Sequence, residues 1–160
     1  MYVCLSRLLQ LNWVVCYNYQ KTEGTCNLNN LDFEWGQTIM GTLGIEVIEF
    51  SRERVVATMP VTPKTHQPFG IMHGGVSVVI AETVASSGSY LFIDRERQKA
   101  VGLEINANHI RSVSEGYVKA VGIPVHVGRS TLVWDVRIYD EAEHLVCISR
   151  CTMAVIDNPN

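Results

Sequence analysis

Apolar and polar residues alternate with a period of two in six stretches of the chain, and a charged turn at residues 51–54 separates the first two. A period of two predicts strands with one buried face. Pro60 and Pro63 are expected to end the pairing of the second strand, because proline has no N–H to offer a neighbouring strand. The six stretches are residues 45–47, 55–61, 101–107, 117–127, 132–138 and 145–156.

Residues 76–92 contain no proline and carry apolar side chains on most helical faces, which predicts one long buried helix. A shorter helix is predicted around residues 32–41, with Asn30 or Asp32 as its N-cap. The order is therefore a short helix, two strands, a long buried helix and four strands. This order predicts an α+β fold in which an antiparallel sheet packs on a single central helix.

The composition fits one domain, because 160 residues with 47% apolar side chains can bury one core but not comfortably two. The formal net charge is -3, and the lysines and arginines are scattered. Such a chain has no basic stripe that could follow a phosphate backbone. We therefore expect no nucleic-acid partner.

Residues 1–30 differ from the rest, since they hold three of the five cysteines and Arg7 is the only charged residue before Lys21. Their apolar run, residues 8–16, is interrupted by Gln10 and Asn12 and is shorter than the ~20 residues a membrane helix needs. No small-residue cleavage site follows it. We interpret residues 1–30 as a disordered extension, or as leader sequence from a misplaced start codon. A membrane anchor is the alternative.

The cysteines show neither a C-x-x-C pair nor the spacing of a zinc site. This predicts reduced thiols in a cytoplasmic protein without a bound metal. Cys147 and Cys151 lie four residues apart in a predicted strand, so both are interpreted as packing residues of one face.

Glu82 is the only charged residue between His73 and Asp94, and its neighbours are apolar or small. A carboxylate on a buried helix must be paired, hydrogen-bonded or directed into a cavity. Ser86 and Ser89 follow at positions i+4 and i+7, which predicts a narrow polar stripe with Glu82. The alternative is that this stripe is simply a solvated edge of the helix.

Gly74 and Gly75 lie where the long helix is predicted to begin. The first N–H groups of a helix have no partner within it and can bind a developing oxyanion. Glycine also lets a substrate approach the backbone closely. The alternative is an ordinary tight turn, but His73 and Gln67 in the same loop make a functional site the more specific interpretation.

Three short motifs and one longer stretch carry a further signal: Gln67-Pro68-Phe69-Gly70, His73-Gly74-Gly75, Ala81-Glu82, and residues 101–112, VGLEINANHIRS. Together they resemble the signature of hotdog-fold acyl-CoA thioesterases. The resemblance is to the branch with the phenylacetate-pathway, 4-hydroxybenzoyl-CoA and 1,4-dihydroxy-2-naphthoyl-CoA thioesterases. It covers residues 31–156, which are expected to form the hotdog domain.

The resemblance implies a role for each residue that matches the motifs. Glu82 is implied to be the nucleophile or general base that attacks the thioester. The Gly74 N–H is implied to polarise the thioester carbonyl, and Gln67 to position it. His73 would support the loop or contact the substrate, and Ser86 would hydrogen-bond the carboxylate or the attacking water.

The resemblance also implies a CoA site, although these positions have the alternative of being ordinary exposed side chains. The substrate is expected to be an aryl-CoA or 1,4-dihydroxy-2-naphthoyl-CoA, with no cofactor. Relatives imply a homo-oligomer, a dimer of dimers whose active sites are shared between protomers. The implied CoA-binding residues are His109, Arg111, His126, Gly128, Arg129 and Ser130.

Two other functions remain open at this point. A hotdog dehydratase or hydratase also uses a carboxylate on the central helix, but it pairs that group with a histidine in a proline-glycine loop. A non-catalytic acyl-CoA-binding hotdog domain would be expected to lack the helix carboxylate. A serine-triad hydrolase is disfavoured, because the sequence has no Gly-x-Ser-x-Gly motif.

Overall fold

The computed structural model describes residues 35–158. They form a six-stranded sheet in the order β1-β2-β4-β5-β6-β3, and every neighbouring pair is antiparallel. One long helix, α2 (Gly74–Ser89), packs on this sheet. The predicted α+β architecture is confirmed. The strands are β1 (Glu46–Phe50), β2 (Val55–Pro60), β3 (Gln98–His109), β4 (Tyr117–Val127), β5 (Thr131–Asp140) and β6 (Leu145–Asp157).

Trp134 of β5 is the largest fully buried side chain and fixes the helix to the sheet. Its indole N–H donates to the Ser89 hydroxyl at 3.0 Å. Its ring lies under Gly88, where an added Cβ would come within 2.3 Å of it. Truncating a buried Trp to alanine costs roughly 3–5 kcal/mol in a typical core, so this contact is a major support of the helix.

Helix α2 begins two residues before, and ends three residues before, the predicted range 76–92. It begins earlier because the His73 ring accepts a hydrogen bond from the Gly75 N–H at 2.8 Å and so caps the first turn. It ends earlier because the N–H groups of Tyr90, Leu91 and Phe92 bond to the third residue back, which tightens the last turn.

The predicted short helix is divided into a 3₁₀ turn, Trp35–Gln37, and α1 (Ile39–Leu43). Thr38 caps α1 through its side chain, and Gly44 ends it with a positive φ of 68°. The proposed caps Asn30 and Asp32 lie outside the described residues, as do residues 1–30 with Cys4, Cys16 and Cys26.

Strand β3 lies at one edge of the sheet, and of its residues only Ala100 is buried. A β-bulge between Gly102 and Glu104 makes Leu103 the extra residue opposite β6. On β6, Cys147 and Cys151 are buried free thiols of the core, which confirms their interpretation as packing residues. Within residues 35–158, no helix has the length and apolar content needed to span a membrane.

Candidate active site

The half-buried Glu82 side chain extends from the middle of α2 to the edge strand β3. Its Oε1 atom lies beside Gly102, where an added Cβ would be only 2.1 Å away. The same side chain lines a cavity of about 410 Å³. The carboxylate therefore faces a cavity, which was one of the options that its burial left open.

That cavity lies between α2 and the segment of residues 35–40. Its walls are largely apolar, but several residues with hydroxyl groups line it, as in most small-molecule sites. Its volume falls within the range of about 300–1,000 Å³ that such sites occupy. The lining residues are Trp35, Thr38, Ile39, Met40, Val79, Glu82, Thr83, Ser86, Ser87 and Tyr90.

The predicted stripe of Glu82, Ser86 and Ser89 is only partly correct. Ser86 lines the cavity with Glu82. Ser89 lies about two turns beyond Glu82 and is fully buried, where it donates to the Ala85 carbonyl at 2.8 Å and accepts from Trp134. A polar group can be buried there because both hydrogen bonds are made within the core. Ser89 therefore supports the fold rather than the site.

The Cys151 thiol lies under the site and stays protonated. Burial raises its pKa to about 12, with smaller contributions from the negative charges of Glu82 and Glu104. Its S–H donates to the Met153 sulfur at 3.5 Å. A thiol is a nucleophile only as its thiolate, so Cys151 is not a candidate for attack on a thioester.

The loop before α2 is held by backbone hydrogen bonds at 2.7–2.8 Å, from the Met72 N–H to Val113 and from the His73 N–H to Thr65. His73 Nδ1 accepts from the Gly75 N–H, so a neutral ring carries its proton on Nε2. The Gly74 N–H, by contrast, has no acceptor among residues 35–158. Of the two glycines, only Gly74 offers a free donor at the positive end of the helix.

A second cavity, of about 240 Å³, brings together four predicted site residues: Gln67, Gly74, His109 and Arg111. The His109 ring packs against Gly74 so closely that an added Cβ would be 2.7 Å from Nε2. Glycine at position 74 thus leaves room for the imidazole. These four residues form one part of the candidate site, which we call the loop half-site.

Glu82 belongs to the other cavity. It follows Gly74 by eight residues in α2, a separation of about 12 Å along the helix axis. The Glu82 carboxylate lies against Gly102 and lines the first cavity, whereas Gly74 lines the second. The structure does not bring Glu82 and Ser86 together with the loop half-site within one chain. We call Glu82, Ser86 and their cavity the glutamate half-site.

The predicted CoA-binding residues are divided in the same way. His126 lies near the end of β4, and Gly128, Arg129 and Ser130 form the turn from β4 to β5. Strand pairing places Val127, Leu132, Met153 and Gly102 in one row, at the end of the sheet where Glu82 lies. His109 lies seven residues further along β3, or about 20 Å away. His109 and Arg111 thus accompany the loop half-site, and the β4–β5 turn accompanies the glutamate half-site.

Sequence reasoning missed two groups of residues at the glutamate half-site. Trp35, Thr38 and Tyr90 form part of the cavity wall, and Gly102 faces the carboxylate. No local pattern indicated them, because their place in the site depends on contacts between segments that are distant in the sequence.

A six-stranded antiparallel sheet on one central helix is the architecture of hotdog-fold thioesterases, with a glutamate on that helix and glycines at its start. Residues 69–147 match the family model of the Thioesterase superfamily. The chain is 59% identical over 119 residues to the Bacillus subtilis protein ComA2, a match that covers 74% of this chain and 94% of the relative. The chain belongs to the thioesterase superfamily and is a thioesterase, which sets aside the dehydratase and non-catalytic alternatives.

Two further relatives bear on the site. The 1,4-dihydroxy-2-naphthoyl-CoA hydrolase of Listeria monocytogenes is 50% identical over 114 residues, which cover 71% of this chain and 92% of the relative. The Staphylococcus aureus thioesterase SAV0944 is 40% identical with a TM-score of 0.74, over 76% of this chain and 100% of that protein. That protein has been solved with a glutamate, and separately with a glutamine, replaced by alanine.

Proposed function

We propose that this thioesterase hydrolyses aryl-CoA thioesters, with 1,4-dihydroxy-2-naphthoyl-CoA or a closely similar compound as substrate, and that Glu82 is its catalytic carboxylate. The observation that carries the proposal is the half-buried Glu82 carboxylate at the wall of a cavity of about 410 Å³. Trp35 and Tyr90 supply aromatic surface in that cavity, and Thr83 and Ser86 supply hydroxyl groups. A hydroxylated aromatic acyl group is complementary to such walls.

The relatives support both parts of the proposal. The Listeria relative is a hydrolase of 1,4-dihydroxy-2-naphthoyl-CoA. In SAV0944 the replaced glutamine and glutamate are fifteen positions apart, the spacing of Gln67 and Glu82 in this chain. The loop half-site and the glutamate half-site therefore contain the pair of residue types, at the same spacing, that was altered in that thioesterase.

The reaction requires little beyond these groups, because a thioester is already activated toward attack. With Glu82 as general base, the carboxylate removes a proton from water, and the water oxygen adds to the acyl carbon. The C–S bond then breaks, and the CoA sulfur leaves as a thiolate that is later protonated. With Glu82 as nucleophile, its oxygen adds to the acyl carbon and the C–S bond breaks, so that CoA leaves as a thiolate. Water then hydrolyses the resulting mixed anhydride to the free acid and regenerates the Glu82 carboxylate.

The other predicted residues assist at the carbonyl. The free Gly74 N–H donates to the oxygen, whose negative charge grows in the transition state. Gln67 positions the thioester, and Ser86 holds the attacking water or the carboxylate. His73 contributes by capping α2, which aims the Gly74 N–H outward.

The two half-sites meet if two chains pair along their β3 edges, where an exposed strand has no outer partner strand among residues 35–158. An antiparallel pairing about a two-fold axis between Ile105 and Asn106 would place Gly102 of one copy level with His109 of the other. Glu82 of one chain would then face the loop half-site of a second copy. We propose this shared site in a dimer, with two dimers forming a tetramer. Residues 31–156 supply it, and residues 1–30 are not required.

The substrate proposal is tested by steady-state hydrolysis of a panel that contains 1,4-dihydroxy-2-naphthoyl-CoA, benzoyl-CoA, butyryl-CoA and octanoyl-CoA. We expect kcat/KM for the aryl compounds to exceed that for the alkyl compounds by at least about tenfold, since one or two well-filled contacts are worth about 1–3 kcal/mol. Equal or higher values for the alkyl thioesters would contradict an aryl-binding cavity.

Arg111→Ala and Arg129→Ala are expected to raise KM for CoA thioesters by about tenfold with little change in kcat. Both side chains are exposed, one near each half-site, and phosphate contacts are similar in the ground and transition states. The control is Arg54→Ala, at the β1–β2 turn beside the sheet edge opposite β3. If these arginines contact the CoA phosphates, the two variants should not change KM for truncated pantetheine thioesters, which lack the nucleotide. The same KM increase with those substrates would rule out the nucleotide contact.

A further inference from the structure

Gly102 lies where the Glu82 carboxylate meets the sheet. An added Cβ would be 2.1 Å from Oε1 and 3.3 Å from the carboxyl carbon. The backbone does not itself require glycine there, because the glycines with positive φ are Gly44, Gly70 and Gly116 within residues 35–158. The absence of a side chain at position 102 therefore provides space for the carboxylate.

The strand geometry at this point is also special. Gly102 pairs with Met153 and Glu104 pairs with Thr152, so the bulge at Leu103 begins directly after the glycine. Bulges turn the side chains around them and are frequent beside active sites. Gly102 and Glu104 are the residues that precede and follow the bulge, and the next residue, Ile105, pairs with Cys151.

The buried Cys151 lies on β6 next to this contact, since it pairs with Ile105 on β3. The negative charge of Glu82 contributes, after burial itself, to the raised pKa of that thiol. The carboxylate thus rests against Gly102 on β3, with Cys151 on the neighbouring strand. Neither the family match nor the motifs in the sequence assign a role to Gly102.

We propose that Gly102 is a positioning residue for catalysis. Its missing side chain lets the Glu82 carboxylate rest against β3, and this contact sets the distance between the carboxylate and the acyl carbon. The proposal rests on the proposed role of Glu82. It adds that the position of the carboxylate, and not only its presence, is set by a residue on the edge strand.

Gly102→Ala is expected to lower kcat by about 100-fold while KM changes by less than about threefold. Oε1 must move by about 1 Å to relieve the contact, and a misplacement of that size can cost about 10² in rate. The movement falls on the end of a flexible side chain, so the fold should accommodate it. Alanine is moreover tolerated better than glycine inside a strand. The unfolding midpoint and the oligomeric state, measured by native mass spectrometry, should therefore match those of the wild type.

The decisive comparison repeats the change in a Glu82→Asp background, with single-turnover rates measured at excess enzyme. Aspartate is one methylene shorter and withdraws its carboxylate from Gly102, so the alanine methyl no longer meets it. We expect Gly102→Ala to change the rate by less than about threefold there, against about 100-fold with Glu82 present, a conditional effect typical of directly coupled residues.

Three results would overturn the proposal. The first is an unchanged kcat in Gly102→Ala, and the second is an equal loss in both backgrounds, which would show that position 102 acts independently of the glutamate. The third is a loss of stability or assembly. Failure of the underlying function is distinguished by a separate variant, since Glu82→Gln with wild-type kcat would refute the catalytic carboxylate itself. A loss of Gly102→Ala activity accompanied by a lower unfolding midpoint or native mass would also count against positioning, because it would assign the glycine to folding or assembly.

Discussion

Glu82→Gln is expected to lower kcat for aryl-CoA hydrolysis by at least about 100-fold, with the protein still folded. Glutamine has the size of glutamate and can occupy the same space beside Gly102, but it can neither accept a proton from water nor attack the thioester. Loss of a general base or nucleophile costs about 10²–10⁴ in rate or more. Thiol release measured at saturating substrate gives kcat, and the thermal unfolding midpoint reports the fold.

The matched control for that variant is Glu104→Gln. Glu104 lies two residues beyond Gly102, and its charge also contributes to the raised pKa of Cys151. Its side chain is exposed and accepts a hydrogen bond from Asn106 at 3.3 Å, on a different part of the strand. It should retain at least about half of the wild-type kcat. If Glu82→Gln retained more than about a tenth of the wild-type kcat while folded, the assignment of Glu82 would be wrong.

The fold could be predicted closely, because the alternation along the strands and the apolar pattern of α2 both reflect burial against one core. The predicted range 117–127 matches β4 in the structure, and the other strand ranges differ by a few residues at their ends. The ends of α2 were less predictable. Its start depends on the His73 ring, which caps the first turn, and its end depends on a tighter last turn, neither of which periodicity encodes.

The side on which α2 opens to the cavity could not be read from its sequence. Ser86 and Ser89 are both near the Glu82 face by spacing, yet only Ser86 lines the cavity. Ser89 instead accepts a hydrogen bond from Trp134, which lies 45 residues away in the chain. In a helix buried on nearly every side, the facing strand decides which polar residue is buried and which reaches the site.

The proposed role of Gly102 could not be predicted from the sequence either, because it also depends on a contact between distant segments. In the sequence it stands within an alternating stretch and reads as a small residue of a strand. Its contact is made with Glu82, twenty positions earlier, at the point where a bulge begins in β3. Family motifs could indicate which residues carry the chemistry, but only the packed structure shows which residue leaves space for them.

An equimolar mixture of Glu82→Ala and Gly74→Pro proteins is expected to regain activity after subunit exchange, although each is inactive alone. Proline at position 74 removes the free N–H of the loop half-site and is well tolerated at the first position of a helix. In a heterodimer with shared sites, one site carries both defects. The other combines the intact Glu82 of the Gly74→Pro chain with the intact Gly74 of the Glu82→Ala chain.

The expected amount of recovered activity follows from the proposed dimer with two shared sites. Random exchange makes half of the dimers mixed, with one intact site of two, so activity should reach about one quarter of the wild-type value.

Gly74→Ala is the matched control, since its Cβ meets the His109 ring at 2.7 Å as a proline would, but it keeps the N–H. It should be clearly more active than Gly74→Pro. No recovery, with exchange verified by native mass spectrometry, would mean that each active site is built from one chain. The separation of about 12 Å between Gly74 and Glu82 along α2 would then have to be bridged within that chain.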